Sequence, residues 1–210
     1  MHTHCFQRLF AVTWLVLSLC VPPNIGCRSE RGAQESRTQK EEPPVQRTDS
    51  ETAADEDALC NAALNGRLQA VLTALRNGAN VNALDQEKRS ALMLAAFNGH
   101  TEVVRVLIEK GANVHITDSM GRNALMYASS GPSPDTVRLL LENKVDLNVQ
   151  DTGEGWTALM FAAGEGLAEV VHVLLEHKAD RTLKDVDGDT ALDFARKNGH
   201  TLVVRILSGN

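Results

Sequence analysis

Residues 90–118 read SALMLAAFNGHTEVVRVLIEKGANVHITD, and this stretch decides the fold. Ser90 suits a helix N-cap, because its hydroxyl can accept from a backbone N–H left free in the first turn. Ala91 to Phe97 is apolar nearly all round, so the helix it predicts is buried on more than one side. Asn98, Gly99 and His100 interrupt it. A second helix is predicted from about Thr101, with Val103, Val104, Leu107 and Ile108 at helical spacing. Gly111 supplies the left-handed residue that often ends a helix. Isolated helices shorter than about 12–15 residues are marginal in water, so such a pair needs neighbours.

The chain supplies them. Ser90 realigns with Asn123, Thr157 and Thr190 at steps of 33, 34 and 33 residues, and one step backwards lands on Asp57. Each of these N-capping residues is followed by Ala-Leu: Ala58-Leu59, Ala91-Leu92, Ala124-Leu125, Ala158-Leu159 and Ala191-Leu192. A further Ala recurs at Ala62, Ala95, Ala128, Ala162 and Ala195, where close approach of stacked helices favours a small side chain. Five matches in one register establish a repeat whose units bury their apolar faces in one another.

The period and these motifs resemble the ankyrin repeat over about Glu56 to Asn210. The resemblance implies an all-α solenoid of about five helix-turn-helix repeats, joined by β-turn or hairpin loops, at about 56–84, 85–118, 119–151, 152–185 and 186–210. The family's Thr-Pro-Leu-His opening is replaced by Ser90-Ala91-Leu92-Met93 and its equivalents. Packing of Met93, Met126 and Met160 is therefore expected to substitute for the missing His. The resemblance also implies a non-enzymatic scaffold that binds another protein, through hairpin tips and first-helix ends on one extended concave surface. Carried over by position, the tips are Gln86, Glu87 and Arg89; Met120 and Arg122; Glu154 and Trp156; Asp187 and Asp189. The helix ends add Phe97, Asn98, Glu165 and Lys197. Trp156 reads either as an exposed anchor or as a ring folded onto its own hairpin, and Phe97 either as a groove anchor or as inter-repeat packing. The tips grade from Lys88, Arg89 and Arg122 to Glu154, Asp187 and Asp189, which predicts a partner with the opposite gradient.

Single repeats depart from the pattern. Asp55, Glu56 and Asp57 place negative charge at the predicted start of a helix over Ala58 to Asn65. Gly131-Pro132-Ser133-Pro134-Asp135 replaces the Asn-Gly-His-Thr-Glu loop, with Ser133 as N-cap and Pro134 at the first helical position. Lys144 and Lys178 stand where Gly111 stands, and a left-handed Lys costs about 1 kcal/mol against Gly. The extra residue of the fourth repeat falls near Gly153-Glu154-Gly155. Arg196, Lys197, Asn198 and Arg205 give the last repeat a polar outer side, as a closing cap needs.

Before the repeats, Leu9 to Val21 is a compact apolar run after Arg8. It is shorter than the roughly 20 residues of a membrane span, and it fits a signal-peptide core that includes Phe10 and Trp14. Asn24-Ile25-Gly26-Cys27 resembles a bacterial lipoprotein box, with Cys27 as the lipid acceptor and residues 1–27 as the signal. Residues 28–55 are polar and charged, with Pro43-Pro44, and read as a solvated tether. The expectation is export to a cell envelope with membrane attachment only through signal or lipid. The alternative is a cytoplasmic binder whose apolar start is not a signal.

Composition narrows the function further. The chain is 43% hydrophobic but 4% aromatic, which suits layers of Ala, Leu and Val. A net charge of −6 argues against a general nucleic-acid binder. Cys60 is the one cysteine in the repeats, so no disulfide can form within them, and it reads as a small buried apolar residue. Asp185-Val186-Asp187-Gly188-Asp189 resembles the start of a calcium loop, but the twelfth position is Arg196 where a bidentate Glu is needed. His172 and Glu176 could share a metal, yet no third ligand accompanies them. His100 and His200 align in the loop between helices and read as structural. No cofactor or metal site is expected, and the chain reads as a monomeric binding scaffold rather than an enzyme or metal-dependent sensor.

Overall fold

A computed structural model of the chain describes residues 49–209, with side chains described from residue 53. The signal and Cys27 readings, and the tether up to residue 48, lie outside these residues. Described helices are α1 (Asp49–Leu64), α2 (Leu68–Arg76), α3 (Ala91–Phe97), α4 (Thr101–Glu109), α5 (Ala124–Ala128), α6 (Pro134–Glu142), α7 (Ala158–Gly164), α8 (Ala168–Glu176), α9 (Ala191–Lys197) and α10 (Thr201–Ser208). They form five antiparallel pairs in chain order, all in the unit Val45–Asn210. Among the described residues there is no extended strand. The only bridges are Leu84 to Ser90 and Thr117 to Asn123, at the necks of two hairpins.

The first helices start where the repeat places them. Ser90, Asn123, Thr157 and Thr190 are extended N-caps, and their side chains accept from the N–H of Met93, Met126, Met160 and Asp193. The methionines at 93 and 160 close the cap from the other side: their sulfurs accept from Ser90 N–H at 3.5 Å and Thr157 N–H at 3.4 Å. Thioether sulfur is a weak acceptor, but here it serves an N–H that would otherwise be buried alone. All three methionines are buried. The core is the expected stack: Leu59, Leu92, Leu125 and Leu159 are buried, as are the Ala residues at 62, 95, 128, 162 and 195.

The first repeat differs from the expectation. Its helix begins at Asp49 and not at Ala58, so Asp57 lies inside the helix and caps nothing, and residues 49–55 belong to a helix rather than to the tether. The reason is local. The later first helices each follow a hairpin that turns the chain, whereas Glu51 to Glu56 contain no Gly or Pro and include Ala53 and Ala54, strong helix formers. Ser133 differs as well. It precedes α6 with Pro134 at the first helical position, but its hydroxyl meets Thr136 Oγ1 at 2.9 Å instead of a backbone N–H. At the other end, α10 stops at Ser208, before the last residue, because Gly209 is left-handed at φ 76°.

Lys144 and Lys178 do adopt the left-handed conformation, at φ 61° and 73°. So does Lys88, at φ 61°, standing where Gly121 and Gly188 make the same hairpin turn. His100 and His200 are structural: their Nε2 atoms donate to the carbonyls of Leu64 at 3.1 Å and Gly164 at 2.9 Å. Each ring lies against a glycine of the preceding repeat, and a Cβ on Gly66 or Gly166 would come within 2.6 or 2.5 Å of it.

Candidate partner-binding face

Each hairpin is built on one aspartate. Oδ1 of Asp85, Asp118 and Asp185 accepts from the N–H groups two and four residues on. Asp151 serves the longer third hairpin by accepting from Glu154, Gly155 and Trp156, which is how the extra residue of the fourth repeat is accommodated. This gives Asp185 a turn-making role, the same as that of Asp118. The tips are then tied to one another by backbone bonds, with side-chain ties from Arg122 to Asp151 and from Gln150 to Lys184 O behind them. Ser119 N–H donates to Glu87 O at 3.2 Å, Thr152 N–H to Met120 O at 2.8 Å, and Val186 N–H to Glu154 O at 2.9 Å.

Behind the tips runs a row of rings. Leu94, Tyr127, Phe161 and Phe194 occupy one equivalent position on α3, α5, α7 and α9. Trp156 makes edge contacts with Phe161 at 5.2 Å and Phe194 at 5.0 Å between centroids. Phe97 meets Tyr127 edge-on at 6.2 Å. Every aromatic residue of the chain beyond Trp14 therefore takes part in these contacts. Tyr127, Phe161 and Phe194 were not singled out by the sequence reading. The signal was present, since each follows Leu-Met or Leu-Asp at the start of a first helix in a chain poor in aromatics.

The structure shows where the two ring residues named from sequence pack. Trp156 is half-buried between the fourth and fifth repeats and is not an exposed tip residue, because Phe161 and Phe194 offer it apolar edges. Phe97 is half-buried and serves inter-repeat packing.

Arg122 is also committed within the molecule. Its Nε donates to Asp151 Oδ2 at 3.1 Å, with side-chain exposures of 13% and 0%, and its guanidinium lies 5.5 Å from the centroid of Phe161. Arg89 pairs with Asp85 at 2.7 Å and Glu87 at 2.6 Å. Asp189 and Lys197 pair with each other. The expected charge gradient is thus mostly neutralised at its basic end, whereas among the described residues the carboxylates of Glu154 and Asp187 form no ion pair at the acidic end. Gln86, Glu87, Met120 and Asp187 are exposed at the tips, and Met120 is 40% accessible. Asn98 is exposed and tied to Leu64 O at 2.7 Å, and Glu165 is half-buried.

Burial, reinforced by the 2.8 Å bond from its hydroxyl to Asp118 Oδ2, holds the Tyr127 phenol above its usual range. Burial also pushes the Cys60 thiol up to about 11, which keeps it protonated and inert. On the outer side, His172 faces Glu176 at 3.3 Å, and no group of three or more metal-binding side chains occurs among the described residues.

Compared with known protein families, residues 59–151 and 132–210 match the family model described as Ankyrin repeats (3 copies). The chain has no match among curated proteins.

Proposed function

The chain belongs to the ankyrin-repeat family, and from that membership we propose that its hairpin tips and first-helix ends bind a partner protein, and from the apolar run and Cys27 of its sequence that it is exported and held at a membrane by lipid. Ankyrin repeats serve in general as protein–protein interaction scaffolds, typically without enzymatic activity. What supports the choice of face is that the backbone ladder of the tips holds Gln86, Glu87, Met120 and Asp187 exposed in front of a wall containing every ring beyond Trp14. Interfaces are enriched in such aromatic and Met-bearing surfaces.

Site-specific photo-crosslinking tests the face. A photoreactive side chain at Gln86 or Met120 is expected to trap one partner band from native membranes, and the same group at Arg105, exposed on α4, is expected to trap none. Equal trapping from Arg105 would overturn the assignment. Mass spectrometry of the mature amino terminus tests the tether: a diacylglyceryl-modified Cys27 is expected, and an intact Met1 terminus would refute export.

A further inference from the structure

The second helices follow a charge pattern that the last of them breaks. The second residue of α4, α6 and α8 is acidic: Glu102, Asp135 and Glu169. Three residues on stands a base, Arg105, Arg138 or His172, and four further a second acid, Glu109, Glu142 or Glu176. Each base is held within its own helix: Arg105 by Glu102 at 3.6 Å, Arg138 by Asp135 at 3.4 Å and His172 by Glu176 at 3.3 Å. In α10 the base is kept as Arg205, but Leu202 and Gly209 stand in the two acidic places. The first turn of α10 therefore lacks the negative charge that favours a helix start, and Arg205 lacks both helical partners.

Leu202 is 55% exposed, whereas the other exposed large hydrophobics, Leu84, Met120 and Val186, lie in the hairpins. With Ile206 one turn on, Ala168 and Val173 of α8 and Pro134 of α6, it borders an open apolar groove of about 510 Å³. Arg138, Glu169 and His172 also line it. Arg138 and His172 are already paired and bring little free charge. Glu169 and Arg205 are both exposed, and among the described residues neither forms an ion pair. Glu142 is unpaired as well, but it lies a turn beyond Arg138 and outside the groove.

We propose that this groove is where two copies of the chain meet, Leu202 of each entering the groove of the other and Arg205 of each meeting Glu169 of the other. The face is complementary to itself, since it offers a cavity, an apolar side chain standing out beside it, one free anion and one free cation. A two-fold contact needs that combination, because residue i meets j and j meets i. A partner of one charge would serve Glu169 or Arg205 and leave the other desolvated without a counter-ion. A second copy serves both. The contact uses none of the hairpin-tip residues, and it turns the monomer expected from sequence into a pair.

Sedimentation equilibrium of the full chain reads the mass, which is expected to rise from 22.8 kDa towards twice that value with concentration. A photoreactive side chain in place of Leu202 is expected to join two copies, with peptides of this chain alone in the product. Leu202→Glu returns the acid of the other repeats. It is expected to abolish the doubling while melting no lower than the parent, because Arg205 regains a partner. Glu169→Arg and Arg205→Glu are each expected to weaken self-association about tenfold. Mixing those two variants is expected to restore it, since each charge then meets its opposite. A single mass up to about 1 mM would overturn the proposal. So would association that survives Leu202→Glu, as association through the apolar run at residues 9–21 would, or single variants that fail to complement on mixing. A Leu202 crosslink to a different protein would overturn it as well.

Discussion

At Asp151 a single carboxylate carries more of the structure than any tip residue named from sequence. Its side chain is 0% exposed, serves three backbone N–H groups and pairs with Arg122. Asp151→Ala leaves those donors and a nearly buried guanidinium unmatched, and is expected to cost about 3–5 kcal/mol, read as a lower urea midpoint at unchanged slope. Lys178 is the opposite case, since its left-handed backbone is a local strain that glycine relieves. Lys178→Gly is expected to gain up to about 1 kcal/mol and raise the melting temperature by about 2–4 °C. Glu165 adds a pH signature. Its folded pKa lies above the unfolded one because of burial, so its contribution to stability is present below the unfolded value and lost as pH rises through the folded one. Urea curves of the parent and Glu165→Gln are expected to diverge as pH rises across that window, with the parent becoming the weaker. Convergence would refute the shift.

Among the elements, first helices are legible where a hairpin precedes them and illegible where none does. The period located Ser90, Asn123, Thr157 and Thr190 because each must satisfy a first-turn N–H at a bend in the chain. Asp57 shares the residue type but not the bend, and helix simply continues through it. Lys88 escaped notice as a left-handed residue for a related reason, since residue type alone gives no hint that a Lys is left-handed without its alignment to Gly121. The loops between paired helices allow a clean internal comparison. Gly166 and Gly199 are left-handed at φ 73° and 77°, but only Gly166 lies under an imidazole, that of His200, while nothing lies within 4 Å of a Cβ on Gly199. Gly199→Ala is expected to lose about 1 kcal/mol from backbone strain. Gly166→Ala is expected to lose clearly more, because the His200 ring must leave Gly164 O as well. Equal losses by thermal melting would remove His200 as an inter-repeat support.

For the molecule as a whole, the repeat and its core could be read from sequence because they depend on small and large apolar residues at fixed spacing. The face was harder to read, because its composition depends on which side chains find partners across repeats. Trp156 stayed open between an exposed anchor and a folded-back ring until Phe194, 38 residues later, was placed against it. Arg122 looked available until Asp151 was placed behind it. Stacking also means that no pair of helices is independent. Removing residues 186–210 would uncover Leu159 and Ala162, now buried. The shortened chain is expected to melt earlier and to bind a hydrophobic dye that the full chain does not. A melting temperature equal to the parent's would show that the last pair is an ornament rather than a cap.

The ladder of N–H and carbonyl groups from Glu87 to Val186 has one more implication. Because peptide groups, backed by Arg122 and Gln150, hold the tips in line, the outward residues at 86, 119 and 186 contribute little to that alignment. They can be exchanged wholesale while the scaffold beneath keeps its register, so a descendant of this chain could acquire a new target without having to learn again how to fold.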